Sequence, residues 1–128
     1  MEADISGSQR KVVTSEVVPT RRMLGDSGIP VRNGRTLPFR VARTWSAPAG
    51  TYLERFYIID PRSREVLYEG PAVERSVWGL QSLTEFATDV RDPISLAPGS
   101  YAVVFSLGRM LGGEVPVEAF EVSAEEAA

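Results

Sequence analysis

The stretch from Ile94 to Val122 constrains the fold of this chain more than any other. Leu96-Ala97-Pro98-Gly99-Ser100-Tyr101 reads as the lead-in to a central strand, because Pro98-Gly99 supplies a turn and the apolar run Tyr101 to Phe105 follows at once. In an extended chain Tyr101, Val103 and Phe105 face one side while Ala102 and Val104 face the other. A strand that is apolar on both sides lies inside a packed sheet or is covered on both faces. Leu107-Gly108-Arg109 then reverses the chain, and Val115, Val117 and Ala119 alternate with Pro116, Glu118 and Phe120 up to Val122, which is the pattern of a terminal hairpin.

Upstream, the same period of two recurs. Leu37, Phe39, Val41 and Trp45 share one face of a strand, with Arg43 as its one polar member, until Pro48-Ala49-Gly50 breaks it. Tyr52 to Ile59 forms a second strand, Asp60-Pro61-Arg62-Ser63 a turn, and Glu65 to Tyr68 the returning partner, which Gly70-Pro71 ends. Arg75 to Gly79 carries Val77 and Trp78 as a fourth strand. Gln81 to Val90 fits two patterns: Leu80, Leu83, Phe86 and Val90 keep a helical spacing, whereas Thr84, Phe86, Thr88 and Val90 alternate. Its flanks favour strand; the alternative is a small α+β domain in which this stretch is helical. The expected core is Phe39, Val41, Trp45, Phe56, Ile58, Leu67, Val77, Phe86, Tyr101, Val103, Phe105 and Val117.

A strand led in by Leu96-Ala97-Pro98-Gly99-Ser100-Tyr101 and closed by a final hairpin resembles the last two strands of bacterial immunoglobulin-like and fibronectin-III-like modules. The resemblance covers roughly residues 36 to 123. It implies a "tyrosine corner" at Tyr101, whose hydroxyl would bond back to backbone near the turn, and it carries no catalytic residues. The expected fold class is therefore all-β: an immunoglobulin/fibronectin-III-like antiparallel sandwich of about seven strands over residues 36–123, with an N-terminal basic arm over 1–35 and an acidic tail over 124–128.

Within the arm, residues 1–9 read as a disordered lead, Lys11 to Val18 as a β-leaning segment that offers an edge strand, and Pro19 to Arg35 as a long stretch with a turn at Asn33-Gly34 that packs against the domain or a partner, the alternative being a plain tail. Charge marks the arm as well. Up to Arg43 there are eight basic and four acidic residues, and beyond it six and thirteen, so a net +4 precedes a net −7. Arg10, Lys11, Arg21, Arg22, Arg32 and Arg35 are the expected partner-docking cations, suited to an acidic surface on another protein or on a second copy of this chain.

The 128 residues include no His and no Cys, which removes the commonest general base, the commonest metal ligand, cysteine nucleophiles and disulfides together. Gly25-Asp26-Ser27-Gly28-Ile29-Pro30 resembles the segment around the nucleophile of chymotrypsin-like serine proteases, but that chemistry needs a His, and the segment reads as a loop. A Ser-Lys dyad would have to use Lys11, the only Lys, in the arm, where nothing desolvates it. Glu85, Asp89 and Asp92 match no calcium-loop spacing, and Arg91 among them is a ready ion-pair partner. Trp45 and Trp78 form a possible aromatic ligand platform, although a Trp in a sandwich this small more often belongs to the core. There is no nucleic-acid motif, and the arginines are not interleaved with aromatics.

These readings converge on a non-enzymatic chain with no cofactor and no metal: an accessory or structural subunit that docks on another protein, or on itself, through its arm and a sheet edge. The alternative is a carbohydrate- or small-molecule-binding module built on exposed Trp and Tyr. Neither a nucleic-acid nor a membrane partner is expected. The N-terminal residues lack a basic and apolar leader, and the longest apolar run is about five residues where a membrane helix needs roughly 20, so the expected location is cytoplasmic.

Overall fold

The structure, a computed structural model, describes residues 10–21 and 27–127. Among them ten strands follow one another: β1 (Lys11–Pro19), β2 (Ile29–Arg32), β3 (Arg35–Thr36), β4 (Phe39–Ser46), β5 (Gly50–Ile59), β6 (Val66–Glu69), β7 (Val73–Val77), β8 (Thr84–Val90), β9 (Gly99–Leu107) and β10 (Met110–Glu121). One helical turn, α1 (Ala124–Ala127), closes the described chain. The fold is all-β. No helix among the described residues is long and apolar enough to cross a membrane.

The strands form two sheets. β4 lies between β1 and β8 in the smaller one, and the larger runs β3-β2-β10-β9-β5-β6, with β7 pairing the first half of β5. Every pairing is antiparallel except the one between β2 and β10, which is parallel over Ile29–Val31. Alternation makes the core, because it aims Phe39, Val41 and Trp45 of β4 at Phe56 and Ile58 of β5 and at Val103, Phe105 and Leu107 of β9 in one cluster. On the far side of the larger sheet, Ile59, Ala102 and Val104 form a second, small cluster under Tyr57. Both apolar faces of β9 are thereby covered.

All seven expected strands are present as β4 to β10, and Thr84–Val90 is strand. Nine of the twelve expected core residues are buried, while Leu67, Phe86 and Tyr101 pack against them half-exposed. The difference lies in the segment read as an arm. Its described residues are built into the body: β1 pairs with β4 from Lys11↔Ser46 to Pro19↔Phe39, and Ile29 and Val31 are fully buried. Apolar burial explains this, since β2 beside β10 removes Ile29 and Val31 from water, whereas a segment lying off the body would leave them exposed. Asn33-Gly34, both at positive φ, form the two-residue turn between β2 and β3. The acidic tail begins as α1, whose capping box joins the Ser123 hydroxyl to the Glu126 N–H and the Glu126 carboxylate to the Ser123 N–H. Residues 1–9, expected to be a disordered lead, lie outside the described residues.

Candidate functional site

The docking cations do not form one surface. Arg10 and Lys11 sit at the start of β1, beside the β4–β5 and β9–β10 turns, with the Arg10 guanidinium 5.1 Å from the centre of the Tyr52 ring. Arg32 lies at the opposite end, where its Nη1 donates to the Val122 carbonyl at 2.9 Å, and Arg35 bridges to Ser95 there. Arg21 follows β1 at that same far end, near Pro38 and Arg91. Arg22 lies outside the described residues, as do Gly25 and Asp26 of the protease-like segment. The polarised charge is in part consumed inside the chain: Arg32 faces Glu121, Arg40 holds Asp89, and Arg43 holds Glu54.

The two tryptophans are separated. Trp45 is fully buried, whereas Trp78 is 76% exposed, so they form no shared platform. The reason is strand phase: Trp45 shares the inward face of β4 with Phe39 and Val41, whereas Trp78 follows the inward-facing Val77 and so points out.

Inside the core lies a polar constellation of which the sequence showed only Arg43. Arg43 Nε donates to Glu54 Oε2 at 2.7 Å, Nη2 bonds Oε1, and Nη1 donates to the Val41 carbonyl at 2.8 Å and to Thr88 Oγ1 at 2.9 Å. Trp45 Nε1 donates to Glu54 Oε2 at 2.9 Å, and Arg75 Nε reaches Oε1 at 3.5 Å with its guanidinium 4.7 Å from the Phe86 ring centre. Each carboxylate oxygen accepts from two donors, and the side chains of Arg43 and Glu54 are 1% and 0% exposed. This network is closed to any substrate. It holds the two sheets together at β4 and β5, and it sets the phase of both strands.

The acidic residues near the β8 end make no metal site. Asp89 is gripped by Arg40 (Nε to Oδ1, 2.8 Å) and approached by Arg91 at 3.6 Å, and no group of three potential ligands occurs among the described residues. The hydrogen bond from Arg40 holds the Asp89 carboxyl below the usual carboxylate range.

Among the described residues the edge of the smaller sheet is unpaired at β1. β1 is the terminal strand of its sheet, and beside its free edge an open cleft of about 440 Å³ runs between β1 and β10, lined by Ser15, Glu16, Val17, Gly28, Pro116 and Glu118 among others. The Gly28 N–H closes one end by donating to the Val17 carbonyl at 2.6 Å. Val17 therefore turns its backbone groups away from β4, and by the alternation of an antiparallel strand Ser15 does too. Across the cleft β10 is a poor template, since Pro116 has no N–H and the strand is bulged between Leu111 and Gly113. The pairing edge on offer is that of β1.

No known protein-family pattern matches the chain, and no curated protein matches it. Solved structures resemble it in fold. The alkylpurine DNA glycosylase AlkC of Pseudomonas fluorescens, in a complex with DNA containing an abasic-site analogue, matches with a TM-score of 0.51 at 11% identity over 92% of this chain. A β-glucosidase from Listeria innocua, in complex with laminaribiose, gives 0.48 at 10% identity over 84%. The chain spans 33% of the glycosylase chain and 16% of the β-glucosidase chain, so each likeness concerns a part of a larger protein. At 11% identity the likeness to the glycosylase is one of fold alone.

Proposed function

We propose that this chain is a non-catalytic protein-interaction module, an accessory subunit that receives an extended segment of a partner protein along the free edge of β1. The observation that carries this reading is the open β1 edge beside the cleft, with Ser15 directing its backbone groups into it. The expectation of an edge strand at Lys11 to Val18 is thereby refined: the strand is given to this chain's own β4, and its other edge is the one offered. The absence of His and Cys, and the sealing of the Glu54 carboxylate among donors, support a role without chemistry. A cytoplasmic setting accords with the lack of Cys. The division of the cations between two ends works against a continuous phosphate track.

An immunoglobulin/fibronectin-III-like arrangement is part of the proposal. It is supported by the split of the N-terminal strands between the sheets, β1 on β4 and β2 parallel to β10, and by the Tyr101 hydroxyl donating to the Ala97 carbonyl at 2.7 Å.

The test is co-purification of the full-length protein from its native source beside Ser15→Pro. Proline at a position whose N–H faces the cleft removes a donor from the partner and none from the β1–β4 pairing. Retained circular dichroism and melting temperature with loss of a stoichiometric partner is the expected result. A partner held equally by Ser15→Pro would refute edge docking.

A further inference from the structure

The exposed apolar side chains are unevenly distributed. Of seven large ones exposed among the described residues, six are Val13, Leu53, Trp78, Leu80, Leu83 and Leu111. Strand pairing brings all six to one end of the body. Val12 and Thr84 both pair with Trp45, which places Val13 and Leu83 on either side of it. Gly50 pairs with Val77, so Trp78 begins its loop beside the β4–β5 turn. The Gly108 N–H donates to the Leu53 carbonyl at 2.7 Å, and Leu111 pairs with Ser106 just below that same β9–β10 turn. Only Val66 lies elsewhere, beside Ile59 near the other end of β5.

The tip of this end is the loop joining β7 to β8, Trp78 to Leu83. Gly79, at φ 125°, turns the chain directly after Trp78, and the Ser82 N–H donates back to the Gly79 carbonyl at 3.2 Å. This short turn holds Trp78, Leu80 and Leu83 outward together. Arg10 and Lys11 at the start of β1 and Arg109 in the β9–β10 turn stand around the apolar residues, with Glu74 and Glu85 as the exposed acids near them. Three cations against two exposed acids leave this end with an excess of one positive charge in a chain of net charge −3.

We infer that this end is a docking tip for an anionic bilayer surface. Three features favour that occupant over a protein. The apolar side chains come from four separate segments and protrude, and the cleft between β1 and β10 does not open among them, so they suit a deformable apolar medium better than a matched pocket. The indole of an exposed Trp prefers the headgroup boundary, where its ring is in apolar surroundings and its N–H in polar ones. The surrounding Arg10, Lys11 and Arg109 complement anionic headgroups, and apolar insertion combined with cationic attraction is how peripheral proteins hold to such membranes. The inference is independent of the β1 edge: with both, the module would present a partner protein at a membrane face.

The two tryptophans make the test selective. Trp45 is sealed in the core and gives a constant background, so any change in emission on binding reports Trp78. The full-length protein is mixed with vesicles of phosphatidylcholine alone and of equimolar phosphatidylcholine and phosphatidylserine, and both Trp emission and co-sedimentation are followed. The expected result is a blue shift and co-sedimentation with the anionic vesicles, much less with the zwitterionic ones. Trp78→Ser/Leu83→Ser, at exposed positions that leave the circular dichroism unchanged, abolishes co-sedimentation. Lys11→Glu/Arg109→Glu weakens it about tenfold or more, because each cation near such a surface contributes roughly a fivefold factor. Absence of both shift and co-sedimentation overturns the inference, as does equal binding by Trp78→Ser/Leu83→Ser. An emission shift that follows protein concentration or an added protein, with no response to lipid, assigns the tip to a protein interface and likewise overturns it.

Discussion

The guanidinium of Arg43 and the carboxylate of Glu54 meet inside the core, each side chain withdrawn from water and each committed to the other through two hydrogen bonds. A buried pair of this kind gains little over an apolar pair of the same volume, because desolvation offsets the attraction, yet breaking it leaves a charge stranded. Glu54→Ala and Arg43→Ala are each expected to cost about 3–5 kcal/mol. Arg43→Met/Glu54→Leu should recover much of that, less about 1–3 kcal/mol for the Trp45 N–H left without an acceptor. Urea midpoints at unchanged slope measure all three. A single-variant loss under about 1 kcal/mol would mean that water reaches the pair.

Gly112 is held small by Trp45. It lies at the β10 bulge with the indole ring against its backbone, and a Cβ there would overlap the ring. Its φ is not of the left-handed kind, so the constraint is contact and not conformation. Gly112→Ala is expected to lose about 1–3 kcal/mol through overpacking. Adding Trp45→Phe should cost less in that background than alone, because the smaller ring vacates the space the new methyl needs. Additive losses in the double-mutant cycle would show that the two do not press on each other.

The strands from Phe39 onward were legible because their alternation is strong and turn residues punctuate it. Asn33-Gly34 carried a hairpin signal too, but β2 and β3 are four and two residues long, too short to display a period. The parallel pairing of β2 with β10 joins segments some ninety residues apart, which no local pattern expresses. In β1 the alternation is interrupted by the irregularity between Val12 and Thr14. Composition alone groups Trp78 with Trp45, yet with Val77 in the core, strand phase sends its neighbour Trp78 outward. Glu54 was missed because an acid is rarely read as interior. The signal is Arg43: a charge on a core face requires a buried counterpart, and Glu54 is in phase with Phe56 and Ile58 on the strand that follows β4 and faces it from the other sheet.

Two tyrosines tie strand to turn in the same way. The Tyr101 hydroxyl donates to the Ala97 carbonyl and the Tyr52 hydroxyl to the Pro48 carbonyl, each at 2.7 Å and each four residues back across a Pro-containing turn. Removing either hydroxyl while keeping the ring is expected to cost about 0.5–1.5 kcal/mol. Tyr52→Phe should cost more than Tyr101→Phe, since Tyr101 bonds at an exposed site where water replaces the lost donor. Thermal unfolding of the two variants decides this; the reverse order would show that the turn after Ala97 is the more strained.

Acid should weaken the fold through particular carboxylates. Hydrogen bonds from Arg40 to Asp89, from Arg64 to Glu114 and from the Arg62 and Ser63 backbone to Asp60 hold all three carboxyls below their usual range. A folded-state pKa below the unfolded one means that the unfolded chain binds protons first as the solution is acidified. The stabilisation is therefore present in full above the ordinary carboxylate pKa of about 4, and is lost as pH falls through that value towards the depressed folded ones. Urea midpoints measured downward from neutral pH should be level at first and then drop. Asp89→Asn and Glu114→Gln should lower the plateau slightly and make the drop shallower, each in proportion to the proton it no longer binds. High salt should shrink the difference between variant and parent, since these pairs lie at the surface. An acid limb equally steep in Asp89→Asn, Glu114→Gln and the parent would show that these two carboxylates do not set the acid sensitivity.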